Sequence, residues 1–508
     1  MSRYHVTTAI PYVNGRPHIG HALELVQADT LARYRRLLGD EVRSQTGTDD
    51  NSLKSVHSAE AAGIGTREYV ARAARAFLDL REPLELSFTD SVQTGSDPRH
   101  RPGVEKLWTA CADRGDLYRG SYSGRYCTAC EQFYTRAELA GGLCPEHGWP
   151  PEHVEEENWF FRLSRYQDRL RGLIAGDTLR VRPEKRKREV LAFIDSGLAD
   201  ISVSRGRERA RGWGIPVPGD PEQVVYVWFD ALANYITGPG YGTDDAAFTH
   251  WWTRADERVH VVGKGIVRFH AVHWPALLLS AGLRPPTEIL VHDYLTENGR
   301  KISKSAGTGA DPAELARRFG PDALRWWLLR DVAPSDDTDY GDRRLIGRYN
   351  EDLANNVGNL VHRTAAMVTR YRSGAVPAIV DGDGAGPGAI LAHARRQASA
   401  DVHRALAVAD FRAAARAVTD LAGAGNRAVE AYAPWAPARA ERERGTSTRA
   451  LDGVLAELVV TGRLLARLLG PFLPAAAEKI TAQLTGAGGT IGVPAPIFRR
   501  LDPDALGG

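Results

Sequence analysis

The sequence predicts an α/β protein whose parallel sheet is interrupted by a cysteine-containing insertion and followed by an all-α domain. Three observations support this fold class. Residues 3–50 show a strand, a helix and a second strand in succession, and such a βαβ unit builds a parallel sheet. Aromatic, basic, cysteine and histidine residues are concentrated between residues 116 and 224. Beyond about residue 345 the strand-like runs stop and helical periodicity takes over.

A chain of 508 residues is too long for one ordinary core, so several domains are expected. The changes in residue pattern near residues 116, 225 and 345 mark the predicted domain boundaries. The predicted units are an α/β unit over 1–115, an insertion over 116–224, a second α/β unit over 225–345 and a helical domain over 346–508.

The first α/β unit opens with "RYHVTTAI" (residues 3–10), a β-branched run that predicts a buried strand ending at Pro11. Turn-forming residues follow, and then a helix that Gly39 terminates. The segment "DEVRSQTGTDD" (40–50) predicts the second strand. These three elements form the first βαβ unit.

Later runs continue the pattern. The segments "QVVYVWFDAL" (223–232), "RVHVVGKGIV" (258–267) and "TEILVHDYL" (287–295) are strand-like. The segment 451–473 is an amphipathic helix, as expected within a helical bundle.

Composition limits the function classes. With 43% hydrophobic and 25% charged residues, the chain is typical of a soluble globular protein. It has no apolar run long enough to span a bilayer, and its N-terminus lacks a signal-peptide pattern. We therefore expect a cytoplasmic protein without a membrane partner. The net charge of +2 neither requires nor excludes nucleic acid, and the basic run at 180–189 is most simply a solvated helix face.

His18 and His21 stand three residues apart where the first helix begins, with Gly20 between them. A helix start that follows the first strand of a parallel sheet attracts anions, and glycine allows close approach to the backbone. Two imidazoles there can donate hydrogen bonds to phosphate. Metal binding by these two histidines is disfavoured, because no acidic or cysteine ligand flanks them at a suitable spacing. A purely structural role for them stays open.

The segment 126–149 carries the most specific local motif. Cys127 and Cys130 form one CxxC pair, and Cys144 with His147 forms a second pair beside glycine and proline turns. Three thiolates and one imidazole at this spacing predict a tetrahedral, structural zinc site without an open position. The alternative is a redox CxxC pair. Cys111 is expected to be a buried small side chain.

A glycine-flanked loop, "ENGRKISKSAGTGADP" (297–312), contains Lys301 and Lys304 beside Ser303. Two lysines three apart with a hydroxyl between them can clamp a polyphosphate and stabilise charge during group transfer. Taken alone, such a loop is also common on protein surfaces.

The motifs "HIGH" (18–21) and "KISKS" (301–305) together resemble the two signatures of the class I aminoacyl-tRNA synthetases. Within that class the chain is similar to the methionyl-tRNA synthetase family over almost its whole length. The similar segments are "AIPYVNGRPHIGHALE", "TGTD", the cysteine motif, "WGIPVP", "YVWFDALANY", "IVRFHAVHWPA", "KISKS", "NNVGNLVHR" and "YAPW". This resemblance implies a Rossmann-like catalytic domain, a zinc-knuckle connective insertion and an all-α anticodon-binding bundle.

The resemblance also implies the activity of an ATP-dependent methionine–tRNA ligase. Methionine would be activated with ATP and Mg²⁺ to methionyl-adenylate, and then transferred to tRNA(Met) with a CAU anticodon. A monomer is expected, because no dimerising C-terminal extension follows "PIFRRLD".

Site residues follow from the same resemblance. The implied catalytic residues are His18, His21, Lys301 and Lys304. ATP would contact these four together with Gly20, Glu24 and Ser303. The implied methionine-binding residues are Ile10, Tyr12, Asp49, Trp228, Ala231, Leu232, Tyr235, Ile266, His270 and Trp274, with Asp49 on the α-amino group. The implied anticodon readers are Asn359, Arg363 and Trp435.

The chain departs from the family pattern in two places. Asp50-Asn51-Ser52 follow Asp49 where the family has other residues, and Gly265 replaces an aspartate that contacts the ATP ribose. We expect this loss to weaken ATP use by about 1.5–3 kcal/mol, and a Gly265→Asp variant to lower the KM for ATP. Asp293 replaces a glycine nearby and is a candidate for compensation.

These departures keep two alternatives open. One is a divergent paralogue, either an inhibitor-resistant duplicate or an enzyme that activates methionine or an analogue for biosynthesis. The other is a tRNA-binding protein without turnover.

Overall fold

A parallel sheet lies at the centre of the protein. The computed structural model describes residues 1–127, 132–134, 138–145, 148–302, 310–378, 387–444 and 448–502. The strands are β1 (Arg3–Thr8), β2 (Glu41–Thr48), β3 (Asp90–Gln93), β4 (Leu117–Cys127), β5 (Gln132–Tyr134), β6 (Glu152–Phe161), β7 (Arg180–Arg182), β8 (Ile201–Ser202), β9 (Ser204–Gly206), β10 (Pro216–Val217), β11 (Asp220–Val225), β12 (Glu257–Gly263), β13 (Glu288–His292), β14 (Leu295–Glu297), β15 (Arg300–Lys301) and β16 (Thr338–Tyr340).

Helices cover the sheet and form the C-terminal part of the protein. They are α1 (Ile19–Leu37), α2 (Leu53–Ala61), α3 (Thr66–Leu78), α4 (His100–Asp113), α5 (Gln167–Ala175), α6 (Glu184–Asp195), α7 (Val227–Thr237), α8 (Asp245–Phe248), α9 (Trp274–Ser280), α10 (Pro312–Phe319), α11 (Pro321–Arg330), α12 (Asp342–Tyr349), α13 (Asn359–Arg372), α14 (Pro387–Leu406), α15 (Phe411–Tyr432), α16 (Trp435–Arg444), α17 (Arg449–Leu469) and α18 (Pro474–Leu484). Among the described helices, none combines the length and the hydropathy that crossing a bilayer requires.

The central sheet has the order β3-β2-β1-β12-β13-β7, and every neighbouring pair in it is parallel. Starting from β1, the chain extends the sheet outward through β2 and β3, and later through β12 and β13 on the other side. The order therefore reverses between β1 and β12, which is where a doubly wound sheet opens a crevice for ligands. The predicted α/β class and parallel sheet are confirmed.

The segment 116–224 contains two small antiparallel sheets, ordered β5-β4-β6-β8 and β10-β11-β9. Within the same segment β7 pairs in parallel with β13 and extends the central sheet. The segment predicted as an insertion therefore returns to the core once before it ends.

The strand predicted over 223–232 is wrong in its second half. Strand β11 ends at Val225, and α7 begins at Val227. A short apolar run that is buried on all sides does not distinguish a strand from a helix by periodicity. The helix matters for the site because Trp228, Ala231 and Leu232 recur at helical spacing on one face.

The helical region packs on one face of the sheet. A continuous apolar core joins β1 and α1 to α11 and to the bundle helices α13–α18, with α14 packed between α15 and α17. A second core lies on the other face between the sheet and α4, α7 and α9. The predicted helix over 451–473 corresponds to α17, and the described residues beyond β16 contain no further strand.

The fully buried guanidinium of Arg325 on α11 joins these parts. Its Nε donates to the carbonyl of Phe472 at 2.7 Å, its Nη1 donates to that of Leu84 at 2.8 Å, and its Nη2 pairs with Asp29 on α1 at 2.8 Å. Burial alone would raise the pKa of Asp29, but Arg325 and Arg33 lower it below its ordinary value. One ion pair thus connects the helix on the sheet with the helical bundle.

We predict that Arg325→Met lowers the Tm well below that of the native protein, because Asp29 then stays buried without its main partner. Breaking such a pair costs about 3–5 kcal/mol. The control is Arg33→Met, because the Arg33 side chain is 24% exposed and also pairs with Asp29. Thermal unfolding followed by circular dichroism compares the two, and equal Tm losses would contradict the assignment.

Candidate active site

A cavity of about 690 Å³ opens at the carboxyl ends of β1, β12 and β13. The loop after β1, the start of α1, the inner face of α7 and the loops after β12 and β13 line it. This is the point at which the strand order reverses, so the sheet topology itself creates the crevice. Most residues predicted for the site lie on its wall. The predicted residues on the wall are Ile10, Tyr12, His18, Gly20, His21, Glu24, Asp49, Trp228, Ala231, Leu232, Tyr235, Ile266 and His270.

His18 and His21 cap the N-terminus of α1 reciprocally. The Gly20 N–H donates to His18 Nδ1 at 3.2 Å, and the His18 N–H donates to His21 Nδ1 at 3.0 Å. The two rings lie 3.8 Å apart, centroid to centroid. A Cβ on Gly20 would lie 3.0 Å from Cε1 and Nδ1 of His18, so glycine at this position makes room for the capping ring.

These caps determine the tautomer of both imidazoles. Each Nδ1 accepts a backbone hydrogen bond, so a neutral ring carries its proton on Nε2. Both rings belong to the cavity wall, and each Nε2–H is then a donor at a helix terminus that already favours anions. Residues that looked like half of a metal site are thus arranged as hydrogen-bond donors.

Two described residues of the loop 297–312, one within the predicted lysine clamp and one after it, lie at the cavity or at the start of α1. Ile302 lines the cavity, and the carbonyl of Ala310 accepts a hydrogen bond from the Ile19 N–H at 3.2 Å. The Lys301 side chain, Ser303 and Lys304 lie outside the described residues.

An aromatic pocket forms the apolar half of the cavity. Trp228 on α7 stacks on Phe269 with ring centroids 3.7 Å apart, and Tyr12 meets Trp228 edge-on at 6.2 Å. Flat rings and aliphatic side chains at such distances suit a flexible thioether. Phe269 is not among the methionine-binding residues predicted from the sequence. Its spacing from neighbouring apolar residues such as Val267 does not indicate that it lines the pocket.

A buried relay crosses the floor of this pocket. His270 Nδ1 lies 2.9 Å from the carbonyl of Ile266, which only accepts, so the ring proton sits on Nδ1. His270 Nε2 therefore accepts from the Tyr235 hydroxyl at 2.7 Å. Burial lowers the pKa of His270 to about 4, so the ring is neutral near pH 7. Trp274 does not reach the wall: it is fully buried and donates to His260 Nε2 at 3.2 Å.

Asp49 is the acidic residue of the wall at the end of β2. It is 2% exposed, and its Oδ1 accepts the Asn51 N–H at 3.2 Å. The three residues that depart from the family pattern turn away from the cavity. Asp50 accepts from Thr48 Oγ1 at 2.8 Å, Asn51 donates to Asp230, and Ser52 caps α2.

Glu24 and His292 form a buried pair on the other half of the wall, with Glu24 Oε2 and His292 Nε2 3.0 Å apart. Burial raises the pKa of Glu24 above its ordinary value, although His292 and backbone N–H groups oppose the rise. Burial alone would lower the pKa of His292, but Glu24 raises it. The pair is thus a satisfied unit next to the strand ends.

Sequence reasoning missed Arg186, from the basic run at 180–189. It is 8% exposed, and its guanidinium pairs with Asp293 on the cavity wall and with Glu189 at 2.6 Å. Its neighbours Lys185 and Lys187 pair with Asp336 and Asp177. The basic run is therefore tied to neighbouring segments and is not simply a solvated face.

The effect of Gly265→Asp on the KM for ATP stays a prediction, and the structure shows a steric obstacle to this substitution. A Cβ at Gly265 would lie 2.1 Å from the hydroxyl of Tyr294. Tyr294 is held in place, because its N–H donates to Asp337 at 2.9 Å and Lys264 lies 4.5 Å from its ring centroid. A side chain added at 265 displaces this arrangement before it can reach a ligand.

Two of the four predicted zinc ligands lie in the described residues. Cys127 ends β4, and Cys144 is buried with it in a small cluster that includes Tyr134. Two buried thiols in one cluster fit the soft donor set of a structural zinc site. Cys130 and His147 lie outside the described residues, and within the described ranges no three potential ligand side chains come together.

The three predicted anticodon readers lie at one end of the helical bundle. Asn359 donates to Asn426 Oδ1 at 3.0 Å, and Arg363, one turn further along α13, pairs with Glu430 at 2.6 Å. Trp435 begins α16 shortly after Glu430 and is 46% exposed. Exposed tryptophan, amide and guanidinium side chains are residue types that bind single-stranded bases.

The sheet is doubly wound, two histidines cap the first helix at its crevice, and an aromatic pocket lies beside them, an arrangement typical of nucleotide-binding α/β proteins. The family model described as tRNA synthetases class I (M) matches residues 4–150 and 147–365. The chain therefore belongs to the family that this model describes, the class I tRNA synthetases (M).

Curated relatives and solved structures are similar to this protein over nearly its whole length. The methionine–tRNA ligase of Brucella melitensis is 38% identical, with 98% of each chain covered. That of Caldanaerobacter subterraneus is also 38% identical, over 95% of this chain and 74% of the relative. Mycobacterium tuberculosis methionyl-tRNA synthetase in complex with methionyl-adenylate superposes with a TM-score of 0.92 at 36% identity, covering 98% of this chain and all of that one.

We predict that Gly20→Ala weakens ATP binding about tenfold, since it displaces the His18 ring and removes a hydrogen bond to a charged group. Stability should stay equal or rise, because alanine favours a helix over glycine by up to about 1 kcal/mol. Calorimetric titration with ATP and thermal unfolding measure the two effects.

The control for this variant is Gly453→Ala in α17, where an added Cβ meets no atom within 4 Å. It should stabilise the protein and leave ATP binding unchanged. Native ATP affinity in Gly20→Ala would contradict the role given to the capped histidines.

Proposed function

We propose that this protein is an ATP-dependent methionine–tRNA ligase. The observation that supports it most directly is one cavity that joins the donors at the start of α1 to an aromatic pocket. An amino acid in the pocket and a nucleotide over the helix start would meet at the crevice between β1 and β12. The near full-length similarity to methionine–tRNA ligases supports the same conclusion.

The first step would be adenylation. A carboxylate oxygen of methionine attacks the α-phosphorus of ATP, a new P–O bond forms, and the bond to the leaving pyrophosphate breaks. No protein nucleophile is needed. The chain's contribution is orientation and charge stabilisation: Asp49 would hold the ammonium, and the Nε2–H groups of His18 and His21 would face the phosphates.

The aromatic pocket would select methionine by shape and polarizability. Trp228, Phe269 and Tyr12 enclose it, and the relay through His270 keeps its floor neutral. Because Tyr235 donates its proton to His270, its oxygen faces the pocket as an acceptor, and the sulfur would rely mainly on dispersion and S···aromatic contacts.

Lys301 and Lys304, with Ser303, would complete the phosphate site together with Gly20 and Glu24. Among the described residues of this loop, Ile302 on the cavity wall and Ala310 against Ile19 support this placement. Mg²⁺ would enter with ATP and neutralise part of the phosphate charge.

Cys127, Cys130, Cys144 and His147 would hold one structural zinc ion. Bound zinc would cross-link the end of β4 to the segment around Cys144, where the apolar packing of the described residues is the small cluster with Tyr134. It would take no part in the reaction.

In the second step, a hydroxyl oxygen of the terminal ribose of tRNA(Met) would attack the carbonyl carbon of methionyl-adenylate; an ester bond forms, the anhydride bond breaks, and AMP leaves. Asn359, Arg363 and Trp435 would read the CAU anticodon on the far end of the bundle. We place this function in the cytoplasm and expect a monomer without a membrane partner.

We predict methionine-dependent exchange of pyrophosphate into ATP, followed by charging of tRNA with a CAU anticodon. Lys304→Ala should lower the exchange rate at least about 100-fold, because it removes a charge aimed at the transferring phosphate, and leave methionine affinity near native. Lys106→Ala, at an exposed lysine that pairs with Asp245, is the control.

The same assay separates the alternatives. Exchange without charging would support a biosynthetic paralogue, and loss of both would support a binding protein. Equal losses of exchange rate and methionine affinity in Lys304→Ala would contradict its role.

We also predict that Trp435→Ala raises the KM for tRNA about tenfold, since one base–aromatic stack contributes roughly 1–3 kcal/mol. Pyrophosphate exchange should be unchanged, because the residue lies on the bundle. Ile390→Ala, which shortens another exposed apolar side chain (63% exposed), is the matched control. An unaltered tRNA KM in Trp435→Ala would exclude Trp435 from the anticodon site.

A further inference from the structure

Asp293 is a buried carboxylate on the cavity wall that is only half satisfied. It follows β13 directly and is 2% exposed. Its Oδ1 pairs with Arg186, whereas its Oδ2 has no hydrogen-bond partner in the part of the chain that the structure describes. Such an oxygen costs free energy unless a ligand supplies a donor.

The neighbouring acidic group behaves differently. Glu24 already accepts hydrogen bonds from His292 and from backbone N–H groups. The unsatisfied acceptor on this half of the wall is therefore Asp293, and its position is specified by Arg186 from behind.

The position of Asp293 limits the ligand group it can meet. Asp49 follows β2 and Asp293 follows β13, and the sheet order β2-β1-β12-β13 separates them by three strand spacings, or roughly 14 Å. One small amino acid cannot contact both carboxylates. The group at Asp293 therefore belongs to the far half of a ligand that extends across the crevice.

The charge around Asp293 further limits which chemical group can bind there. Arg186 neutralises the carboxylate, and a guanidinium on one oxygen disfavours a metal ion on the other. A phosphate would be repelled. A neutral hydroxyl fits, because it can donate to a carboxylate without adding charge.

Asp293 and Gly265 both line the cavity, at the ends of the adjacent strands β13 and β12. Gly265 follows the adjacent strand β12 without a side chain, and the Tyr294 hydroxyl lies against it. Asp293 thus faces the cavity beside bare backbone and a fixed phenol.

We propose that Asp293, positioned by Arg186, binds a ribose hydroxyl of the nucleotide. This rests on the proposed function for the identity of the nucleotide. It makes the loop after β13, instead of residue 265, the source of the ribose contact in this chain, so ATP use is not weakened by Gly265.

The test is methionine-dependent pyrophosphate exchange with ATP, 2′-deoxy-ATP and 3′-deoxy-ATP. The native enzyme should disfavour at least one deoxy analogue about tenfold in kcat/KM, because a hydrogen bond to a charged group is lost. In Asp293→Asn that preference should fall to about twofold or less, with a KM for ATP raised about tenfold and the KM for methionine unchanged.

Glu189→Gln is the matched control, since Glu189 pairs with the same guanidinium from a side chain that is 47% exposed. In Glu189→Gln, kcat/KM for each of the three nucleotides should equal that of the native enzyme. An Asp293→Asn enzyme that keeps the native preference among the nucleotides would overturn the proposal even if its KM rose, and so would a defect that excess Mg²⁺ repairs.

Failure of the proposed function has a different signature. If the native protein catalyses no exchange, thermal shifts with adenosine, 2′-deoxyadenosine and 3′-deoxyadenosine still test Asp293. A larger shift with adenosine that is lost in Asp293→Asn supports the ribose contact, and equal shifts for all three nucleosides with the native protein overturn it.

Discussion

The buried ion pair between Asp29 and Arg325 is the interaction on which the rest of the structure depends. Asp29 lies in the middle of α1, and the same helix begins at the cavity with His18 and His21. Because Arg325 also binds carbonyls of Leu84 and Phe472, the helix is attached to the sheet side and to the bundle at one point. The orientation of the helix start, and thus of His18 and His21 on the cavity wall, follows from this anchor.

The cavity divides into two halves of different chemistry on either side of the reversal between β1 and β12. The α7 side is aromatic and neutral, since burial keeps His270 uncharged. The α1 and β13 side is polar, with donors from two histidines and acceptors from Glu24 and Asp293. This division matches a reaction in which an apolar side chain must be recognised while charge develops on a phosphate a few ångströms away.

The departures from the family pattern fall into two groups, one after β2 and one after the adjacent strands β12 and β13. Asp50, Asn51 and Ser52 serve the loop after β2 and the start of α2, and they leave the cavity wall to Asp49. Gly265 has no side chain because Tyr294 occupies that space, while Asp293 beside it carries the acidic group. Arg186, from the basic run, holds that carboxylate. Gly265, Tyr294, Asp293 and Arg186 thus belong to one arrangement, and Asp50, Asn51 and Ser52 belong to another.

The sequence by itself determined the class of fold, because β-branched runs, turn residues and helical periodicity are local signals. It also determined most of the wall, since motifs such as "HIGH" keep their residues together along the chain. Only the tertiary structure decided that 227–232 is helical, that Trp274 lies behind the pocket, and that β7 returns to the central sheet. It alone brought Arg186 to Asp293, and Gly265 to Tyr294, because contacts between adjacent strand ends depend on sheet order, which no local pattern encodes.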